Sequence, residues 1–461
     1  MVAPAAGFGN EALERSAAVM VPLLPVALQP LHGHLEGTLL PRGFFLVLGL
    51  VYLTALAVDR GAQRLRLPST VAILLLGLLL GQGMASFHHV TALHVESIHR
   101  ISLALLIFFA GLGTNLRRIR GTVGAGLRLG TLGVLLTLLI LGLALKLAGP
   151  ALDPGLAQLP FAAAWLAACC ITPTDTGALE DLLESLPQAI GGRLRHLLTF
   201  EAALSTVSAL LCFSFLTGFF HVHNQSHTDT LGLAVERAHS LVTQLGWLLR
   251  HLLAGLLAGG LVGVLAPWLI DKLVRSEQQL LLVAISLAFV AFGLGQLFGG
   301  GGLLAVFIAG VWLSNSHYRL MRFDQHALER VMRPFNTAAE LNVLLLLGFL
   351  VTPAHLIRML PLGLVLALVL PLARLAGVWV SMPGQAFTRR DRWTVAGCGL
   401  RGAVPLALAV AMAEELTHLG GVSAQGAEPM GTLLLALIGV VVLANLVLQT
   451  VGMRWFTRKE G

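Results

Sequence analysis

The sequence predicts an all-α membrane protein of about thirteen transmembrane helices, built as two inverted six-helix repeats in which the fifth and twelfth helices are interrupted. Three observations carry this prediction. The chain is 56% hydrophobic and 11% charged over 461 residues, with no polar block of domain size. Its apolar runs are continuous rather than alternating and are long enough for a hydrocarbon core of about 30 Å, which selects helices over a barrel. Basic residues cluster in short connections, and two runs carry charges beside helix breakers.

Taken in order, the spans are 44–59, 68–83, 98–116, 122–148, 159–183, 196–219, 243–271, 279–298, 300–316, 335–352, 356–382, 390–414 and 430–454. The eighth and ninth are separated only by "FGGGG". Every second connection is basic: "DRGAQRLR", "RRIRG", "GGRLR", "DKLVR", the segment from Arg319 to Arg333, "TRRDR" and the tail "RWFTRKEG". The alternate set, including "GPALDPGLAQ" and "EELTHLGGVSAQGAEPM", is nearly free of Lys and Arg. The positive-inside rule then places the amino terminus outside and the carboxyl terminus in the cytoplasm. Spans one to six (about 44–219) form repeat one, 243–271 is a linking helix, and 279–454 forms repeat two.

Residues 1–42 read as an extracytoplasmic segment rather than a cleaved signal peptide, because Glu11 and Glu14 outweigh Arg15 where a basic region is required. No soluble block follows the last span, so no nucleotide-binding regulatory module is expected. "GLGQLFGGGG" follows no strand, which removes the context of a dinucleotide fingerprint. The four cysteines, with Cys169 and Cys170 adjacent in an apolar run, form no disulfide framework and no metal spacing. They read as packing residues. His88, His89, His94 and His99 in one connection, and His221, His223, His227 and His239 in another, read as solvated loop residues.

Ionisable residues well inside spans are few: Asp175 and Glu180 in the fifth, Glu201 in the sixth, Glu340 in the tenth, Arg374 in the eleventh and Arg401 in the twelfth. Each costs about 2.5 to 3.5 kcal/mol at a helix centre, so they should face the protein interior or water and pair. Pro173 and Gly177 flank Thr174, Asp175 and Thr176; Gly397, Gly399, Gly402 and Pro405 surround Arg401. Interrupted helices at corresponding positions in two halves point to a midplane substrate site. Asp175 reads in two ways from these residues, as an ion site or as a cap on a broken half-helix. Glu340 and Arg374 read as a structural pair between the tenth and eleventh spans. Glu180, Asp181 and Glu184 read as the lining of a solvated funnel.

From about Phe44 to Thr457 the chain resembles the NhaP-type sodium/proton exchangers of the cation:proton antiporters. The resemblance rests on "LPSTVAILLLGLLLG", "ALLIFFAGLGTNLRRIR", "TPTDTGALEDLLESL", "GGLLAVFIAGVWLSN" and, most specific, "WTVAGCGLRGAVPLALA". It implies exchange of sodium, potassium or lithium for protons by alternating access, a homodimer in a prokaryotic cell membrane, no cofactor, no metal beyond the transported cation and no enzymatic chemistry. It also implies that Glu201 pairs with Arg401. Pro405 resembles a variant of the potassium/proton members.

The sixth span departs from the family pattern. Where members carry E-S-L-x-N-D, this chain reads "FEAALSTVSALL": Glu201 matches, but Ala202, Ser205 and Thr206 replace the Ser, Asn and ion-binding Asp, and Thr176 replaces the Pro of the fifth-span motif. Three readings follow. Asp175 is the exchangeable carboxylate, with Glu201 and the hydroxyls of Thr174, Thr176, Ser205 and Thr206 as auxiliary oxygen ligands; or Glu201 exchanges while Arg401 competes for it; or the scaffold no longer transports and serves as a sensor or assembly protein. A proton-coupled solute carrier is a further class, disfavoured by the narrow set of polar groups. The first reading is the one the sequence favours; its stoichiometry stays open, with electroneutral exchange following if Glu201 is locked to Arg401.

Overall fold

A computed structural model describes residues 44–64, 69–83, 88–114, 122–157, 159–185, 190–225, 233–299, 301–316, 325–383, 387–418 and 430–458. The segment 1–42 and His227 lie outside them. The chain forms two compact units, Met1–Thr54 and Ala55–Gly461. Of the first, residues 44–54 are described, as the start of α1 (Phe44–Arg64).

The second unit continues through α2 (Ser69–Gly83), α3 (His88–Leu112) and α4 (Val123–Arg128), which passes through a π turn at Leu129–Gly133 into α5 (Val134–Leu152). A short 3-10 turn (Pro154–Leu156) leads to α6 (Phe161–Ile171), α7 (Thr176–Ser185), α8 (Gly192–Gln225), α9 (Leu233–Leu273) and α10 (Glu277–Gly299). Then come α11 (Gly302–Asn315), α12 (Gln325–Leu350), α13 (Pro353–Ser381), α14 (Arg389–Gly397), α15 (Ala403–His418) and α16 (Met430–Arg458). Among the described residues there is no strand. Among the described residues six helical stretches are long and apolar enough to cross a membrane: Val123–Leu152, Gly192–Thr217, Gly246–Leu273, Glu277–Gly299, Pro353–Ser381 and Met430–Gln449. The protein is an integral membrane protein.

Local chemistry sets several helix ends. Thr352 caps α13 by accepting the His355 N–H, with Pro353 at the first helical position, where its missing donor costs nothing. Thr388 and Asp391 form a reciprocal capping box at α14. Pro173 and the residues around it end α6 at Ile171, and α7 starts anew at Thr176. The "GLRG" segment likewise separates α14 from α15.

Helices run beyond the apolar windows, because backbone hydrogen bonding does not require apolar side chains. α12 begins at Gln325, not near residue 335, and α9 at Leu233, not near 243. The same effect corrects the reading of the histidines as loop residues: His88, His89, His94 and His99 are in α3, His221 and His223 in α8, and His239 in α9. His99 is buried, and neither ring nitrogen has a hydrogen-bond partner.

Packing places α2, α3 and α9 to α12 against one another, and α5, α6, α8 and α13 to α16 against one another; α8 on α9 and α12 on α15 join the two sets. The broken helices belong to the second set. They cross beside the boundary with the first.

Candidate functional site

The site is built around the two breaks, and Asp175 ties them together. Its Oδ1 accepts from the N–H groups of Gly177 (2.9 Å) and Ala178 (3.1 Å) at the start of α7. Its Oδ2 accepts from the N–H of Val404 (3.0 Å) in the first turn of α15. The Asp175 N–H in turn donates to the Leu400 carbonyl at 3.0 Å. One carboxylate thus satisfies orphan donors of two half-helices from distant parts of the chain, and both positive helix ends point at it. Gly402 permits the approach, since a Cβ there would lie 2.7 Å from Asp175 Oδ2.

Glu201, on α8, is 1% exposed and is held by Arg374 of α13. Nη1 donates to Oε1 at 3.0 Å and Nη2 to Oε2 at 2.9 Å, a two-pronged bond. The other Arg374 donors reach the Thr174 hydroxyl (3.0 Å) and the Val395 carbonyl of α14 (3.3 and 3.4 Å). All five guanidinium N–H groups are therefore engaged. Arg401 donates through Nη1 to the same Thr174 hydroxyl at 2.7 Å, while its buried Nε has no partner.

This arrangement corrects both expected charge pairs. Arg401 bonds Thr174 rather than Glu201, and Arg374 pairs with Glu201 rather than Glu340. The cause is packing: α13 runs beside α14, and Gly399 has no side chain, so Arg374 lies across the second break where a Cβ on Gly399 would collide with it. Glu340 instead accepts from Asn336 Nδ2 at 2.7 Å on its own helix, is half-buried, and lies against Gly177 of α7.

The hydroxyl residues surround the first break. Thr174 Oγ1 accepts from both arginines and lies 3.3 Å from Glu201 Oε1, to which it donates. The Thr174 N–H donates to Ser205 Oγ at 3.0 Å, and Ser205 Oγ donates to the Ala202 carbonyl. Thr206 Oγ1 donates to the Ala202 carbonyl at 3.1 Å and reaches the Thr174 carbonyl at 3.5 Å. Thr176 opens α7 and is buried. Glu180 is half-buried on the same helix, whereas the side chains of Asp181 and Glu184 lie outside those described.

Beside Glu201, Arg374 and Arg401 is a cavity of about 10 Å³, lined also by Thr137, Thr172 and the π turn. It has room for about one water. A π turn at such a point is a recurrent feature of functional sites. Here its Gly130 takes the α8 side chain Leu204.

Sequence reading assembled the crossing residues but missed three partners. Thr137 and Thr172 carry no signal beyond being hydroxyls in apolar runs. Arg358, near the start of α13, binds Asp153 through two bonds of 2.7 and 2.9 Å, and Asp153 also accepts the Gly155 N–H. The "ALDPG" segment is the signal that marks Asp153 as a turn cap. Among the described residues no group of three or more His, Cys, Asp or Glu is placed to hold a metal ion. The cysteines are free, with Cys169, Cys170 and Cys398 buried.

Comparison with known proteins places the chain in context. The profile of the family described as "Sodium/hydrogen exchanger, transmembrane" matches residues 49–459. The K(+)/H(+) antiporter NhaP2 of Shewanella baltica (strain OS223) is 27% identical over 390 residues, which covers 80% of this chain and 60% of that protein. The Na(+)/H(+) antiporter NhaS2 of a Synechocystis strain is 24% identical over 403 residues, covering 84% and 66%. This chain thus spans about 60% of the length of the NhaP2 relatives. In fold it is similar to the sodium proton antiporter MjNhaP1 from Methanocaldococcus jannaschii, with a TM-score of 0.71 and 20% identity over 90% of this chain and 97% of the other.

Proposed function

The chain belongs to the sodium/hydrogen exchanger family, and from that premise we infer that it exchanges a monovalent cation, potassium or sodium, for a proton across the membrane. The observation that carries this reading is the crossing of two broken helices around a buried, charge-balanced cluster. Asp175 and Glu201 are offset by Arg374 and Arg401, so the formal sum is zero. Such a cluster keeps charge inside a membrane protein without a net field. It also surrounds the crossing with oxygen atoms, from Thr174, Thr176, Ser205 and Thr206, of the kind that replace an ion's hydration shell.

In this reading Asp175 fixes the two half-helices relative to each other and contributes an oxygen to the ion's surroundings. The Glu201–Arg374 pair holds α8 and α13 to the first break. Helices α2, α3 and α9 to α12 form a frame past which the crossing moves to face alternate sides. The corresponding positions of the two breaks in the two halves support an inverted repeat.

The test is cation-dependent proton flux in proteoliposomes reconstituted with the full chain. A proton gradient that collapses on addition of potassium or sodium is expected. No response to sodium, potassium or lithium from monodisperse protein overturns antiport and leaves the scaffold with a sensing or assembly role, in keeping with Thr206 in place of the family carboxylate.

A further inference from the structure

We propose that Arg401 is a tethered rival of the transported cation: it holds the Thr174 hydroxyl at the first break and yields it by turning into the water-sized cavity lined by Thr137 and Thr172. The proposal rests on the antiport reading above and deepens it, by naming what a cation must displace. The first ground is saturation. A threonine hydroxyl has one donor and two lone pairs. Thr174 Oγ1 accepts from Arg374 Nη1 at 3.0 Å and from Arg401 Nη1 at 2.7 Å, and donates to Glu201 Oε1 at 3.3 Å. A cation gains this oxygen only when one arginine leaves it.

The second ground is the unequal hold on the two arginines. Arg374 commits all five donors to Glu201, Thr174 and the Val395 carbonyl, and its departure would strand a buried carboxylate. Arg401 has one hydrogen bond among the described residues, that to Thr174, and its buried Nε has none. The side chain is 1% exposed, so solvent does not make up the deficit. Of the two, Arg401 is the one that leaves for the loss of a single bond.

The third ground is a destination. Arg401 itself lines the cavity of about 10 Å³, together with Thr137 of α5, Thr172 at the end of α6, Glu201 and Arg374. Room for about one water is also room for one guanidinium nitrogen. Thr137 Oγ1 donates to the Gly133 carbonyl at 2.8 Å and Thr172 Oγ1 to the Ala168 carbonyl at 2.7 Å. With each proton committed to its own stretch of helix, the lone pairs of both hydroxyls are left to accept from a guanidinium. Rotation about the side-chain bonds of Arg401 therefore exchanges one hydroxyl oxygen for two and keeps its charge inside the cluster. Neither break has to open, since Asp175 keeps its caps on both half-helices.

The experiment is a double-mutant cycle on the full chain: wild type, Thr137→Val with Thr172→Val, Arg401→Gln, and all three changes together. Half-saturating concentrations of potassium and sodium chloride are read twice, from proteoliposome flux and from the rise in melting temperature in detergent at constant ionic strength. Valine keeps the shape of threonine and removes the oxygen, so the threonine pair variant denies Arg401 its destination and should bind the cation about 10-fold more weakly than wild type. Arg401→Gln removes the rival and should bind it more tightly. In that background the two valines should move the half-saturating concentration by less than about twofold. Hydroxyls with a structural role alone would lower the melting temperature in both backgrounds without moving the cation dependence, and that outcome overturns the proposal. A shift of equal size in both backgrounds, or weaker binding by Arg401→Gln, overturns it too. If Arg401→Gln does not fold, the threonine pair decides: cation dependence within about twofold of wild type refutes the rivalry, and a tenfold weakening upholds it. Should wild type show cation-dependent melting without flux, antiport fails while the cycle still judges Arg401; neither flux nor cation-dependent melting overturns both.

Discussion

The Arg374 guanidinium lies fork to fork on the Glu201 carboxylate, at 3.0 and 2.9 Å, and its remaining donors clasp Thr174 and the Val395 carbonyl. Four elements meet in that contact: α8, α13, the first break and the end of α14. Arg374→Ala should destabilise the protein by about 3 to 5 kcal/mol, because it strands a buried carboxylate. Arg374→Met with Glu201→Leu should recover much of that loss while abolishing flux. Melting in detergent and proteoliposome flux measure the two effects separately.

Thr174 is the acceptor shared by both arginines. Thr174→Val removes that oxygen and leaves N–H groups of Arg374 and Arg401 without it, for an expected loss of about 1 to 3 kcal/mol. Thr174→Ser keeps the oxygen and should melt close to wild type. Equal melting temperatures for the valine and serine variants would exclude the shared bond as a stabilising contact.

Gly402 is required by Asp175 rather than by its own backbone. A methyl group there, 2.7 Å from Asp175 Oδ2, must push the carboxylate off the Val404 N–H. Gly402→Ala should therefore cost about 1 to 3 kcal/mol, as overpacking does, and lower flux. Gly260 on α9, with open space around its Cβ position, is the comparison: Gly260→Ala should be neutral or slightly stabilising in the same melt.

Acid sensitivity should concentrate at Asp153, outside the spans. The hydrogen bond from Arg358, then the Gly155 N–H, hold its carboxyl below the ordinary 3.8. A carboxyl whose folded value is depressed contributes stability that is fully present above the unfolded value and is lost as pH falls through the folded one. Arg358 is about a third exposed, so the contribution is at most about 1 kcal/mol. Melting temperature followed from about pH 6 down to about pH 3 should fall less steeply for Asp153→Asn than for wild type. Parallel curves would assign acid loss to other groups.

Much of the site was legible in sequence because membranes punish charge. Asp175, Glu201, Glu340, Arg374 and Arg401 stand out in runs that are otherwise apolar, and breakers beside two of them mark where helices must stop. The pairing was not legible. Arg374 and Arg401 are 27 residues apart, each within reach of the same acid on general grounds, and Gly399 decides between them by leaving room for one guanidinium and not a side chain of its own. His99 failed for a related reason: a polar residue next to Arg100 reads as loop, yet the helix continues through both and its far face is buried.

By itself, then, the sequence determined that this chain is helical and crosses a membrane, where its helices break, and which few residues carry charge into the interior, since transfer free energies act residue by residue along the chain. Tertiary structure alone decided which arginine neutralises which acid, that Asp175 caps two half-helices at once, and that Glu340 meets the crossing at Gly177. Those relationships depend on contacts a few ångströms across between segments as many as 229 residues apart, and no local property of either segment encodes them.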